Sequence, residues 1–239
     1  MAISPNGIGV REVARSLSYN PAVVQKSMQA LVAQGFAQQD PITQHYHLGP
    51  AALQVGLAGL AKLELFRVAH PFMQALADNS GETALLGIRH GDIVMYIDKA
   101  LSNAEIRLDV PVGATRPLNC TAIGKILLAE LPDEEIDRLS QAGAFTQASL
   151  HSVTDAERIK REMIEVRERG MAADREEFTL GAMCLAAPIR NHEGRVVAAI
   201  AIAGPTQRVD SAKDQLATQV LACADNITTA LGGMPQFPS

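Results

Sequence analysis

This 239-residue chain has no tryptophan and carries only three tyrosines and six phenylalanines. So sparse an aromatic content argues against a platform that stacks the bases of single-stranded nucleic acid. Cysteine is nearly as scarce. Cys120, Cys184 and Cys223 form no Cys-x-x-Cys pair and are too few for a disulfide framework, so a reducing cytoplasm is the expected location. Long hydrophobic runs are also missing. The longest apolar stretch, Val196 to Ala203, falls far short of the ~18 residues a membrane span requires, so no membrane association is expected. The first residues, Met1 to Gly7, have neither a basic segment nor an apolar core, so no leader is expected. Positive charge is not in excess either. The net charge of −5 excludes indiscriminate nucleic-acid binding by the chain as a whole.

What is present is ordinary for a folded globular protein: 47% apolar residues with 20% charged residues of mixed sign, a balance that excludes disorder. The length allows one large domain or two small ones. Residues 1–60 carry Arg11, Arg15 and Lys26 against Glu12 and Asp40, a balance of only one positive charge and weak electrostatic support for DNA binding.

Periodicity divides the chain. Val10, Val13, Ala14 and Leu17 share one helical face. After an interruption, Asn20 is a good N-cap and Pro21 a good first residue for a second helix with the stripe Val24, Met28, Leu31 and Val32, stopped by Gly35. Residues 36–49 read as strand, turn and strand. From Pro50 the leucines at 53, 57, 60 and 63 indicate a connecting helix suited to packing on a partner. Another helix is expected from about Leu65 to Asn79.

The remainder alternates strands and helices. Strands are expected at Ala84–Ile88, Ile93–Asp98, Glu105–Val110, Leu185–Ile189 and Val196–Ala203. Helices are expected at Ile123–Leu131, from Pro132, at Asp155–Arg169, and from about Ser211 to Leu231. The tail 233–239 is expected to fray. Hairpins with helices between them indicate an α+β fold with a mostly antiparallel sheet.

Two constellations carry chemistry. Residues 9–49 follow the order helix, turn, helix, hairpin, in which a second helix enters the major groove and a wing flanks it. Its solvent face would present Pro21, Ala22, Val23, Gln25, Lys26 and Gln29. Glutamine can read adenine, small apolar groups can touch thymine methyls, and Lys26 can reach a phosphate. A protein-binding helical subdomain fits the same spacing. The second constellation is Gly170-x-x-x-Asp174-x-x-Glu177 followed by Cys184. A carboxylate and a thiol so placed could hold a small polar ligand, a metal or a catalytic water, though by spacing alone a solvated acidic loop next to a buried cysteine is the favoured reading. Two donors do not make a metal site. A nucleophilic Cys184 would need an activating base, and no histidine is placed by motif to supply one.

The sequence resembles the IclR-type bacterial transcriptional regulators from about Ile8 to Leu231. The resemblance is carried by Val10–Leu17, Leu31–Phe36, Tyr46–Gly49, Val94–Lys99, Thr121–Lys125, Gly170…Asp174…Glu177…Cys184 and Ala201–Pro205, in that order and spacing. It implies an N-terminal winged helix-turn-helix over 1–49, a linker helix over 50–64 and a GAF-like effector-binding domain over 65–232. It also implies a homodimer or homotetramer that binds double-stranded operator DNA, answers to a small organic or aromatic acid, and is neither an enzyme nor dependent on a cofactor.

By the same resemblance, Asp174 and Cys184 are the polar residues of the effector pocket, Ala122 and Ile123 supply backbone for a carboxylate, and Leu108 is an apolar wall. Relatives that bind small keto acids carry serines where this chain has Ala201 and Ala203, so a larger or less polar ligand is expected. The hydroxyl-bearing run common in the family's recognition helix is replaced by Pro21-Ala22-Val23. A helix usual before Gly7 is expected to be missing, leaving the winged domain truncated. An effector-sensing or assembly module without DNA binding is therefore the alternative reading.

Overall fold

The computed structural model describes residues 6–62 and 64–235. Leu63, the side chains of Leu57 and Leu60, and the last four residues of the expected tail lie outside the described residues. The chain forms two compact units, residues 1–63 and 64–239.

In the first unit, α1 (Val10–Leu17) ends where Ser18 turns left-handed at φ 56°. Asn20 then accepts the Ala22 N–H at 2.8 Å and starts α2 (Pro21–Ala33), with Pro21 in the first turn where its missing N–H costs nothing. Strands β1 (Ala37–Gln39) and β2 (Tyr46–Leu48) pair antiparallel, and Ile8 bridges to Tyr46. Asp40 shapes the hairpin turn by accepting the N–H groups of Ile42 and Thr43. Helix α3 (Pro50–Lys62) follows directly. A Cβ on Gly49 would stand 2.1 Å from the Gly35 carbonyl oxygen, so only glycine allows the chain to enter α3 at this point.

The core of this unit is small: Ala14, Val24, Met28, Ala37 and Tyr46. It corrects the expected helix stripes. Leu17, Leu31 and Val32 are exposed, because α2 packs along Val24 and Met28 and no described part of the first unit covers the residues beyond them.

The second unit opens with α4 (Glu64–Ser80), the hairpin β3 (Thr83–His90) and β4 (Ile93–Ala100), and the short β5 (Thr115–Pro117). Helices α5 (Ala122–Ala129), α6 (Asp133–Gln141) and α7 (Ala156–Arg169) follow. Strands β6 (Ala172–Arg175), β7 (Ala182–Arg190) and β8 (Val196–Pro205) lead to α8 (Thr206–Ser211) and α9 (Lys213–Ala230). One antiparallel sheet runs in the order β5-β4-β3-β8-β7-β6.

Helices cover both faces, so the central strand β8 is apolar throughout. Its alternation sorts residues by size. Ile200 and Ile202 join the core under α4 and α9, while Ala199, Ala201 and Ala203 face the core containing α5 and α7. The alanine face lets the buried α5 approach the sheet closely. At the same point a Cβ on Gly124 would meet the Leu118 carbonyl oxygen at 2.2 Å.

The strand expected at Glu105–Val110 does not form. The outer edge of β4 is already taken by Gly113, Ala114 and β5, and residues 101–110 run as an irregular segment instead. Side chains hold that segment in place of a ladder. Thr83 Oγ1 donates to the Leu108 carbonyl at 2.7 Å, and Arg208, paired with Glu82, donates to the Ile106 carbonyl at 3.1 Å.

Candidate functional site

The sheet register lines up four residues that are distant in sequence. Thr83 pairs with Ala203, Ala203 with Cys184, and Cys184 with Asp174, a row crossing β3, β8, β7 and β6. Above it stands the N-terminus of α5, capped by Thr121, whose Oγ1 accepts the Gly124 N–H at 3.1 Å and donates to the Pro117 carbonyl at 3.0 Å. Between them is a cavity of about 60 Å³, open at its mouth.

Leu108, Ala122, Ile123, Asp174, Cys184, Ala201 and Ala203 all line this one cavity. The sequence reading overlooked Tyr96, Arg116, Phe178 and Leu85, which line it too. Tyr96 alternates with buried Val94 on the same face of β4, a period-2 signal that could have located it. Arg116 lies in a three-residue strand with no such pattern.

The loop after β6 closes one side. Asp174 Oδ1 accepts the Glu177 N–H at 2.7 Å, Glu176 adopts φ 62°, and the hydroxyls of Ser149 and Ser152 donate to the carbonyls of Glu176 and Glu177. This is a built turn around a buried carboxylate, not the solvated acidic loop that the sequence also allowed. Phe178 is set against the Arg116 guanidinium, 4.7 Å from its ring centroid.

Burial governs the cavity's titrating groups. It pushes the Asp174 carboxyl up to about 7, against the Glu177 and Phe178 N–H groups that favour the charged form. It raises the Cys184 thiol well above its ordinary value, with the Asp174 charge adding to the effect, and it raises the Tyr96 hydroxyl. Outside the cavity lining, next to the Thr121 cap, the buried Cys120 thiol is pushed up to about 12. Burial thus favours the protonated thiols, and no described histidine lines the cavity. Among the described residues no group of three metal-binding side chains exists.

Behind the cavity Lys125 is buried, 2.6 Å from Glu162 Oε1, 2.5 Å from Glu177 Oε1, and donating to the Ala173 carbonyl. Burial alone would lower its ammonium, but Glu162 and Glu177 overcome that and hold it above its ordinary value. The cluster ties α5 and α7 to the strand and turn that carry Asp174.

In the first unit Pro21, Ala22, Val23, Lys26 and Gln29 are exposed on α2. Gln25 is half-buried, and its Nε2 donates to the Tyr46 hydroxyl at 3.1 Å, so this amide is already engaged. Gln25 also lines an open groove with Arg11, Arg15, Gln44 and His45 from α1 and the hairpin.

Residues 57–229 match the family model described as the bacterial transcriptional regulator IclR C-terminal domain. The chain belongs to the IclR family of bacterial transcriptional regulators. It is 34% identical to the HTH-type transcriptional regulator BhcR of Paracoccus denitrificans over 208 residues, covering 87% of this chain and 75% of that one. It is 29% identical to the transcriptional repressor IclR of Escherichia coli over 240 residues, covering 98% and 86%.

Among solved structures, the IclR transcriptional regulator of Alicyclobacillus acidocaldarius superposes with a TM-score of 0.83 at 25% identity, covering 94% of this chain and 90% of the other. The Thermotoga maritima IclR gives 0.74 at 26% identity, covering 96% and 93%. These relatives are transcriptional regulators, not enzymes, and their mixed helical and antiparallel-sheet fold is that of this IclR-family chain. No described helix is long and apolar enough to cross a membrane.

Proposed function

We propose that this IclR-family chain is an effector-responsive regulator that binds operator DNA through its first unit and a small organic or aromatic acid through its second. In this reading α1, α2, β1 and β2 form a winged helix-turn-helix. Helix α2 lies in the major groove, Lys26 and the groove arginines meet phosphates, and Gln29 faces base edges. The HTH-type and repressor names of the relatives support it. The second unit is a GAF-like sensor, and the chain works in the cytoplasm as a homodimer or homotetramer.

The observation that carries the reading is the convergence of seven residues, from the loop before β5, α5, β6, β7 and β8, on one cavity whose floor is apolar and whose end is a helix N-terminus. That terminus favours an anion, and the raised Asp174 can donate to an oxygen while neutral. Ligand binding would shift the equilibrium between DNA-competent and incompetent arrangements only by its difference in affinity for the two.

Calorimetry of the full chain against a panel of aliphatic and aromatic monocarboxylic acids tests the sensor. Saturable binding that Asp174→Ala weakens is the expected result. Binding that is unaffected by Asp174→Ala, Ala203→Leu and Cys184→Leu would place the acid elsewhere and refute this assignment of the cavity.

A further inference from the structure

We propose that Arg116 is the group that selects a carboxylate in this cavity: the effector's anionic end pairs with the Arg116 guanidinium where Phe178 holds it, while its apolar body lies on Leu85, Leu108, Ala201 and Ala203. The inference rests on the reading of the cavity as an acid-binding site and names the residue that sets its specificity.

The observation behind it is an unpaired cation in a place where cations are otherwise paired. Among the described residues of the second unit, the partly or fully buried Lys and Arg side chains find carboxylates: Arg89 with Glu135, Lys99 with Asp109, Lys125 with Glu162 and Glu177, Lys160 with Asp137, and Arg190 with Glu130. Arg116 is the exception. Its Nη1 donates to its own neighbour's carbonyl, that of Thr115, at 2.9 Å, and its Cζ lies over the Phe178 ring, 4.7 Å from the centroid.

Neither partner neutralises it. A half-buried guanidinium held by one backbone acceptor and an aromatic face keeps donors free, and it is preorganised for the two-pronged recognition of a carboxylate. Its charge also bears on the Tyr96 hydroxyl in the same cavity wall. Arg116 is the only cationic side chain among the cavity's described lining residues, and Asp174 is the only carboxylate. A ligand with one anionic end and an apolar body pairs the guanidinium and covers the apolar walls. A neutral ligand would leave the guanidinium unpaired and covered, which is costly.

The test is isothermal titration calorimetry on the full chain with two matched pairs, phenylacetate with phenylacetamide and hexanoate with hexanamide. Circular dichroism confirms that each variant is folded. The acids are expected to bind at least about ten-fold tighter than their amides. Arg116→Gln should weaken the acids by about ten- to hundred-fold, the span expected for one charge-assisted contact, and leave the amides unchanged. Arg116→Lys should restore part of the loss, since it keeps the charge without the planar fork.

Acid and amide bound alike by the unaltered protein, or acids bound by Arg116→Gln at full strength, would overturn the role of Arg116 and leave the cavity's assignment standing. If none of the four probes bound the folded, unaltered protein at millimolar concentration, the reading of the cavity as an acid site would fall, and this inference with it.

Discussion

Lys125 Nζ stands 2.5 Å from Glu177 Oε1, with both side chains buried. The pair does not touch the cavity directly, yet it braces the turn that carries Asp174, and it is tuned so that neither charge can be removed alone. Lys125→Met should leave Glu177 buried and uncompensated and cost about 3–5 kcal/mol, whereas Lys125→Met with Glu177→Gln should recover much of the loss. Urea denaturation of the three proteins measures this. An additive double variant would mean that the two residues do not act as a pair.

The raised Asp174 carboxyl makes a pH prediction. Its folded value of about 7 lies above the ordinary 3.8, so the native state holds a proton that the unfolded chain releases in between. This group's contribution to stability is therefore greatest below the lower value and is lost as pH rises through the upper one. Around it, Cys120, Cys184 and Tyr96 stay neutral and Lys125 stays charged over that window, while burial also raises Glu177 against the pull of Lys125. Asp174→Asn should thus gain stability relative to the unaltered chain as pH increases from 4 to 7. A pH-independent difference between the two, followed by chemical denaturation, would contradict this.

The alanine face of β8 predicts ligand preference. Ala201 and Ala203 leave the cavity floor without hydroxyls, so acids with an apolar body of five or more carbons should bind more tightly than two- or three-carbon keto acids. Replacing both alanines by serine should narrow that gap by leaving polar groups that an apolar body cannot satisfy. Tight binding in calorimetry of a tiny keto acid alone would refute the prediction.

DNA binding should be mainly electrostatic along α2 and the groove beside it. Lys26→Ala and Arg15→Ala should each weaken binding to every duplex about equally and reduce the slope of log affinity against log salt by about 0.9 for each phosphate no longer neutralised. Anisotropy titrations at several salt concentrations read both numbers. Gln25→Ala should act differently: it frees the Tyr46 hydroxyl and loosens the first unit's core, so it should lower thermal stability as well as DNA affinity. Full stability in that variant would show that the hydrogen bond is dispensable.

Local pattern made most of the elements legible. Asn20-Pro21 marked the start of α2, and the Ala–Ile alternation of β8 became readable once helices were seen to cover both faces of the sheet. Glu105–Val110 misled because Ile106, Arg107 and Leu108 alternate as a strand should, although the edge they would need is occupied by residues 113–117.

Leu31 and Val32 misled for the opposite reason. Their helical spacing is right, but the first unit's core ends before it reaches them. Asp174 and Cys184 stood out by residue type, but Leu108, Ala122, Ile123, Ala201 and Ala203 were legible through resemblance alone, because sheet register brings Asp174, Cys184 and Ala203 together and spacing carries no register across separate hairpins. Arg116 and Lys125 left no trace in the pattern. Whether a lysine is buried, or an arginine unpaired, is decided by what the fold places next to it.

The claim that joins the two units is that an acid in the cavity alters the affinity of the same chain for DNA. Fluorescence anisotropy of a labelled duplex from the region upstream of the gene measures it most directly, run with and without an acid that calorimetry shows to bind. The account predicts salt-sensitive binding stronger than to a scrambled duplex, with a midpoint that moves several-fold when the acid is added and stays put in Arg116→Gln at the same acid concentration. Equal binding to both duplexes, or a midpoint unmoved by saturating acid, would contradict it.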